Sequence, residues 1–139
     1  MEYQPLSLAI ADDHNLFRKG VLELLKAFEE ITLVADASNG AELLEKIEPN
    51  LPDVIILDLE MPEMDGVATS RYLLSKYVGV NILIMSTYGD EGMVQSLLDE
   101  GVKGYLLKNS EPDELRAALQ ALKSGKSYYS AAIKIMDAI

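Results

Sequence analysis

Five side chains with reactive chemistry stand in this chain directly behind short apolar runs. Asp12 and Asp13 follow Leu6-Ser7-Leu8-Ala9-Ile10-Ala11, and Asp58 follows Val54-Ile55-Ile56-Leu57. Ser86 follows Ile82-Leu83-Ile84-Met85, and Lys108 follows Gly104-Tyr105-Leu106-Leu107. Clustered carboxylates repel and raise one another's pKa, so they are tolerated mainly around a divalent cation. A donor set made only of oxygens selects Mg²⁺, which takes one or two carboxylates and leaves positions for water and phosphate oxygens. An aspartate can act as a nucleophile and form an acyl phosphate, and a phosphoryl group in transfer is stabilised by placed donors and cations, the roles open to Ser86 and Lys108. These residue types fit Mg²⁺-dependent phosphoryl transfer to Asp58. Taken alone, the Asp58 stretch also fits a carboxylate that merely caps a strand–loop junction.

For the five residues to meet, the apolar runs must lie side by side and end on one rim. Val54 to Leu57 has no polar alternation, which predicts a strand buried on both faces, and Pro62 and Asp65-Gly66 supply the turn that stops it. Leu6–Ala11 predicts a first strand. Asn15 is placed to cap the next helix, whose Phe17, Val21, Leu24, Leu25 and Phe28 share a face. Residues 32–37 predict a second strand. Asn39, with Glu42 three residues on, predicts a capped helix carrying Leu43, Leu44 and Ile47, broken by Pro49-Asn50. A helix from Gly66 through Tyr77 is closed by Gly79, and a fourth strand lies within 80–85. Met93, Val94, Leu97 and Leu98 mark a short helix closed by Gly101, and Gly104–Leu107 a fifth strand. Ser110 is placed to cap the last helix, with Pro112 in its first turn and Leu115, Ala118, Leu119 and Leu122 on its buried face, before Gly125. Five strands alternating with five helices predict one α/β domain, a doubly wound parallel sheet joined by right-handed crossovers. Its strands present their ligands at the carboxyl ends.

With 139 residues and 49% apolar side chains, the chain has material for one real core. There is no cysteine, which excludes disulfides and thiolate metal sites and is consistent with a reducing cytoplasm. No apolar run approaches membrane-spanning length. A formal charge of −11 would be repelled by a phosphate backbone, so DNA is not expected on this domain's own surface.

The set Asp12-Asp13, Asp58-x-x-Met61-Pro62-x-x-Asp65-Gly66, Ser86 and Tyr105-x-x-Lys108, in that order, resembles a response-regulator receiver domain of the CheY-like superfamily over roughly residues 5 to 125. The stretches from Ala11 to Gly20 and from Gly101 to Lys108 resemble in particular the NarL/FixJ (LuxR-type) transcriptional branch. The resemblance implies a flavodoxin-like five-stranded sheet of order 2-1-3-4-5. It implies that Asp58 accepts a phosphoryl group from the phosphohistidine of a sensor histidine kinase, the domain catalysing its own Mg²⁺-dependent phosphorylation and dephosphorylation. Mg²⁺ would be held by Asp12, Asp13, Asp58 and the main-chain carbonyl of Glu60, with Asp13 a direct ligand and Asp12 acting partly through water. Ser86 would bond a phosphoryl oxygen, Lys108 would pair with the phosphoryl group, and Tyr105 would swing inward as Ser86 moves. Thr87 stands where the branch often has Ala, and Tyr88 where side chains tune dephosphorylation.

Each residue also has a plainer reading. Tyr105 fits a half-buried strand aromatic as well as a switch, and Glu60 fits a solvated side chain. His14, the single histidine, has no partner for a metal site or a triad and reads as a helix-entry residue near the acidic rim. Met61, Met64, Met85 and Met93 read as packing. A haloacid-dehalogenase-type phosphatase would need a second Asp two residues after Asp58, where Glu60 stands. A flavodoxin would need a phosphate loop where Asp12-Asp13 would repel FMN. The domain is expected to span residues 1–125. Residues 126–139 are expected to begin a linker and helix leading to a helix-turn-helix domain encoded beyond Ile139, with dimerisation on phosphorylation and DNA contacted only through that second domain. The alternative is a stand-alone receiver acting through protein contacts.

Overall fold

In a computed structural model, residues 3–87 and 91–130 are described. The order is β1 (Leu6–Ala11), α1 (Asn15–Leu25), β2 (Ile31–Ala37), α2 (Gly40–Ile47), β3 (Val54–Asp58), α3 (Gly66–Lys76), β4 (Ile82–Ser86), α4 (Glu91–Glu100), β5 (Gly104–Leu107), α5 (Pro112–Lys123) and β6 (Tyr128–Tyr129). All pairings are parallel and the sheet runs β2-β1-β3-β4-β5-β6. The expected 2-1-3-4-5 order is present, with one strand more than expected. Gly125, at φ 86, turns the chain back after α5. Tyr128 N–H then donates to Lys103 O and Ser130 N–H to Tyr105 O, each at 2.9 Å. The sheet thus continues past residue 125, because the free edge of β5 offers hydrogen bonds that a returning chain satisfies.

The central strands separate two cores, as alternation of side chains requires. Ala9, Ala11, Ile55, Leu57, Ile82, Ile84 and Tyr105 share one face. Leu8, Ile10, Val54, Ile56, Leu83, Met85 and Leu106 share the other, where α1 and α5 pack. β3 is buried at all five residues, in keeping with its unbroken apolar run. Met61 and Met85 are buried in these cores, but Met93, expected on the packed face of α4, is exposed, and Val94 and Leu97 take the buried positions.

Two helix starts differ from expectation. Asn15 is the first residue of α1 and His14 occupies the cap position without a side-chain bond to the helix. Ser110 lies in the turn before α5; Glu111 is the cap residue and Pro112 opens the helix, whose fixed φ suits it to that position. The Asn39 cap is present: its side chain accepts from Glu42 N–H at 2.8 Å. The Glu42 carboxylate reaches one residue further back than a standard capping box, to Ser38 N–H at 2.8 Å.

That carboxylate's pKa falls to about 2, first through the Ser38 N–H, then through Lys46 and the Ser38 hydroxyl. A carboxyl depressed on folding contributes stability that is present above its unfolded pKa and lost as pH falls through its folded one. Glu42→Gln is therefore expected to lower stability to urea at pH 7. The gap between variant and parent should shrink steadily between about pH 5 and about pH 2, and a gap independent of pH would contradict the assignment. A second expectation concerns Gly66, where a Cβ would meet Asp58 O at 2.1 Å. Gly66→Ala should destabilise the domain by about 1–3 kcal/mol in urea denaturation, through overpacking against the end of β3.

Candidate functional site

β1 and β3 are adjacent, with Ala11 opposite Leu57, so the next residues, Asp12 and Asp58, emerge together at the carboxyl rim. Both are buried, whereas Asp13 is exposed. From the other side of β3 the end of β5 is tied to the end of β4 by the Lys108 N–H, which donates to Ser86 O at 2.7 Å. The Lys108 side chain is only 8% exposed, and it crosses the rim to place Nζ 2.8 Å from Asp12 Oδ2 and 3.4 Å from Asp58 Oδ1. It passes over the Phe17 ring, with Nζ 4.6 Å from the centroid. This is the usual way to bury a lysine: an apolar surface for the stem and an anion for the head.

One ammonium faces two buried carboxylates. Burial, and next the Asp12 charge, push the Asp58 pKa up, while Lys108 and His14 pull it back. Asp58 Oδ2 is buried with no hydrogen-bond partner among the described residues. A buried acceptor left without a partner costs about 1–3 kcal/mol, and more when charged, so this oxygen calls for a cation or donor. Asp12, Asp13, His14 and Asp58 each offer one ligand atom, all within 4.8 Å of one another. Carboxylate oxygens, one on an exposed residue open to water, fit the coordination that Mg²⁺ prefers.

Local sequence explains why Asp58 sits at such a tight rim. Gly66 N–H donates to Leu59 O at 2.9 Å, bringing the start of α3 against the end of β3. Only a residue without a Cβ allows that approach. Asp65 caps α3 by accepting from Ala68 N–H at 2.9 Å. The Asp65-Gly66 pair thus sets the distance between Asp58 and the helix behind it.

The expected site residues are only partly gathered. Asp12, Asp13, Asp58 and Lys108 meet at the rim. Ser86 ends the neighbouring strand, on the face of the sheet that Ile84 and Tyr105 also use, since alternation returns every second residue to one side. Tyr105 is fully buried beneath that face, away from the rim, and pairs with Tyr129 of β6. Glu60 lies two residues past Asp58 with its side chain exposed, and Thr87 is exposed too. Tyr88 lies outside the described residues, as do residues 131–139.

Two participants had no role at the site in the sequence reading, which placed His14 near the acidic rim only as a helix-entry residue. His14 Nδ1 is 2.8 Å from Lys108 Nζ, 3.3 Å from Asp12 Oδ1 and 4.0 Å from Asp58 Oδ2. Phe17, assigned only to the helix core, also forms the floor under the lysine. Adjacency to Asp12-Asp13 was the one available signal for His14, since its partner Lys108 lies 94 residues away in sequence.

The family model for the response regulator receiver domain matches residues 8–120. The chain is 38% identical over 123 residues to the transcriptional regulatory protein DegU of Brevibacillus brevis, covering 88% of this chain and 52% of that protein. It is 38% identical over 130 residues to the nitrate/nitrite response regulator NarL of Escherichia coli K12, covering 94% of this chain and 60% of that protein. The chain thus spans about half the length of the curated relatives it matches. Among solved structures, the signal receiver domain of the putative response regulator NarL from Mycobacterium tuberculosis superposes with a TM-score of 0.82 at 33% identity, covering 88% of this chain and 99% of that one. Motifs, strand order, rim geometry and these likenesses agree: the chain belongs to the response regulator receiver domain family, in its NarL/LuxR-type branch.

Proposed function

We propose that this domain receives a signal as a phosphoryl group on Asp58, in a two-component pathway. The observation that carries the reading is the buried Asp58 carboxylate, with one oxygen paired to Lys108 and the other unpartnered, at the open rim of the central strand. An oxygen of that carboxylate is the nucleophile. It forms the O–P bond as the bond from phosphorus to the donor nitrogen of a kinase phosphohistidine breaks, and the donor imidazole takes up a proton. Asp12, Asp13, Asp58 and the Glu60 main-chain carbonyl would hold Mg²⁺, which would supply positive charge against the phosphoryl oxygens. Lys108 exchanges its Asp58 contact for a phosphoryl oxygen and keeps Asp12. The Ser86 hydroxyl donates to a second phosphoryl oxygen. A change at Ser86 is felt on the sheet face it shares with Tyr105, so the two residues form the switch that reports the modification.

The output is transcriptional on this reading. The curated relatives are about twice as long as this chain, and one of them is named a transcriptional regulatory protein. A neighbouring structure is described as RcsB dimers bound to DNA. We accordingly place this chain in a cytoplasmic regulator. A histidine kinase is the donor, phosphorylation favours a homodimer, and DNA is contacted by a separate helix-turn-helix domain. The domain's acidity keeps its own surface off DNA.

Incubation with acetyl phosphate and Mg²⁺, followed by intact mass measurement, tests the chemistry. The expected result is a gain of one phosphoryl group that is abolished by EDTA and slowed at least about tenfold by Asp13→Asn. Phosphorylation of equal rate in EDTA would refute the role given to the carboxylate cluster.

A further inference from the structure

His14 stands at the rim for no reason that the helix supplies. It holds the cap position of α1, yet its side chain makes no capping bond. Its main chain is fixed independently of the ring: His14 N–H donates to Asp12 Oδ1 at 2.8 Å, and His14 O accepts from Arg18 N–H at 2.9 Å. The imidazole is therefore presented from an anchored backbone toward Lys108, Asp12 and Asp58. Its Nδ1 lies 2.8 Å from Lys108 Nζ, so a ring nitrogen, the atom by which imidazole binds a metal ion, faces the site. Lys108 keeps two carboxylate partners, Asp12 and Asp58, if that nitrogen turns to a cation.

We propose that His14 is a further ligand of the cation site and lets it take divalent first-row transition ions, for which imidazole is a good donor, in preference to Mg²⁺. The geometric ground is that an imidazole nitrogen of His14 lies within 4.8 Å of a carboxylate oxygen from each of Asp12, Asp13 and Asp58. The buried, unpartnered Asp58 Oδ2 is the independent sign that a cation belongs there. Oxygen donors suit Mg²⁺, while a nitrogen donor adds affinity that rises along the series to Ni²⁺ and Cu²⁺. The side chain is 57% exposed, so a small reorientation of the ring meets no packing cost. This inference rests on the cation site of the proposed function and adds one residue and a metal class to it.

His14 is the single histidine of the chain, so any imidazole-dependent binding must be its own once affinity tags are removed. Titration calorimetry with Ni²⁺ and with Mg²⁺ on the tag-free protein, on His14→Gln and on Asp13→Asn tests the assignment. Gln keeps an acceptor for Lys108 and removes the imidazole. The expected result is that His14→Gln weakens Ni²⁺ on the order of tenfold or more while Mg²⁺ affinity stays within about twofold. Asp13→Asn should weaken both ions. Equal Ni²⁺ affinity in parent and His14→Gln would overturn the proposal, as would Ni²⁺ binding that ignores Asp13→Asn, which would put the ion elsewhere. Absence of Mg²⁺ binding to the parent would instead strike at the proposed function, and the His14 dependence of Ni²⁺ would still decide the present point.

Discussion

Two carboxylates, Asp12 and Asp58, are held below the surface at the ends of adjacent central strands, with the Lys108 ammonium reaching both. The local structure around them is arranged to sustain that imbalance of charge. The apolar runs Leu8–Ala11 of β1 and Val54–Leu57 of β3 carry their terminal acids to the rim, because neither run has a polar residue that would let the strand stop earlier. The Gly66 contact presses α3 against the Asp58 carbonyl. The β4–β5 bond from Lys108 N–H to Ser86 O fixes the point from which the lysine stem crosses. Burial raises the Asp58 pKa and leaves one oxygen unsatisfied, a cost that the proposed cation and phosphoryl group would offset.

The two faces of the sheet divide the work. Leu106 and Met85 pack toward α1 and α5, whereas Tyr105 and Ile84 pack on the opposite face, which Ser86 extends to the rim. β6 completes the second face by pairing Tyr129 with Tyr105. Ser130 N–H bonds the Tyr105 carbonyl, so the chain leaves α5 and is held against the strand that carries the buried tyrosine. The other edge strand, β2, has no partner on its outer side among the described residues and exposes Leu33 and Val34.

The fold was legible because its signals are local. Unbroken apolar runs, acids at strand ends, the Asn39 cap and Gly125 are each readable from a few neighbouring residues, and their alternation leaves little choice of topology. The sixth strand was not legible: Tyr128-Tyr129 is too short to carry a period, and its pairing depends on an edge left open by tertiary structure. The caps assigned to Asn15 and Ser110 failed for a similar reason. Both are good capping residues by type, but the chain enters α1 through a turn in which Asp12 holds the His14 N–H, and enters α5 at Pro112. At the site, Asp12, Asp13, Asp58 and Lys108 could be found from position alone, since each ends or follows a strand. His14 could not, because what gives it meaning is a lysine from the far end of the chain.

The central claim is that Asp58, and not a neighbouring acid or hydroxyl, carries the phosphoryl group. Borohydride reduction of the protein after reaction with acetyl phosphate and Mg²⁺ converts an acyl phosphate on aspartate to homoserine, and peptide mapping locates it. Homoserine at position 58, absent from protein that has not met acetyl phosphate, is the predicted result. Homoserine at position 12 or 13, or a reduction-resistant phosphate on Ser86, would contradict the account.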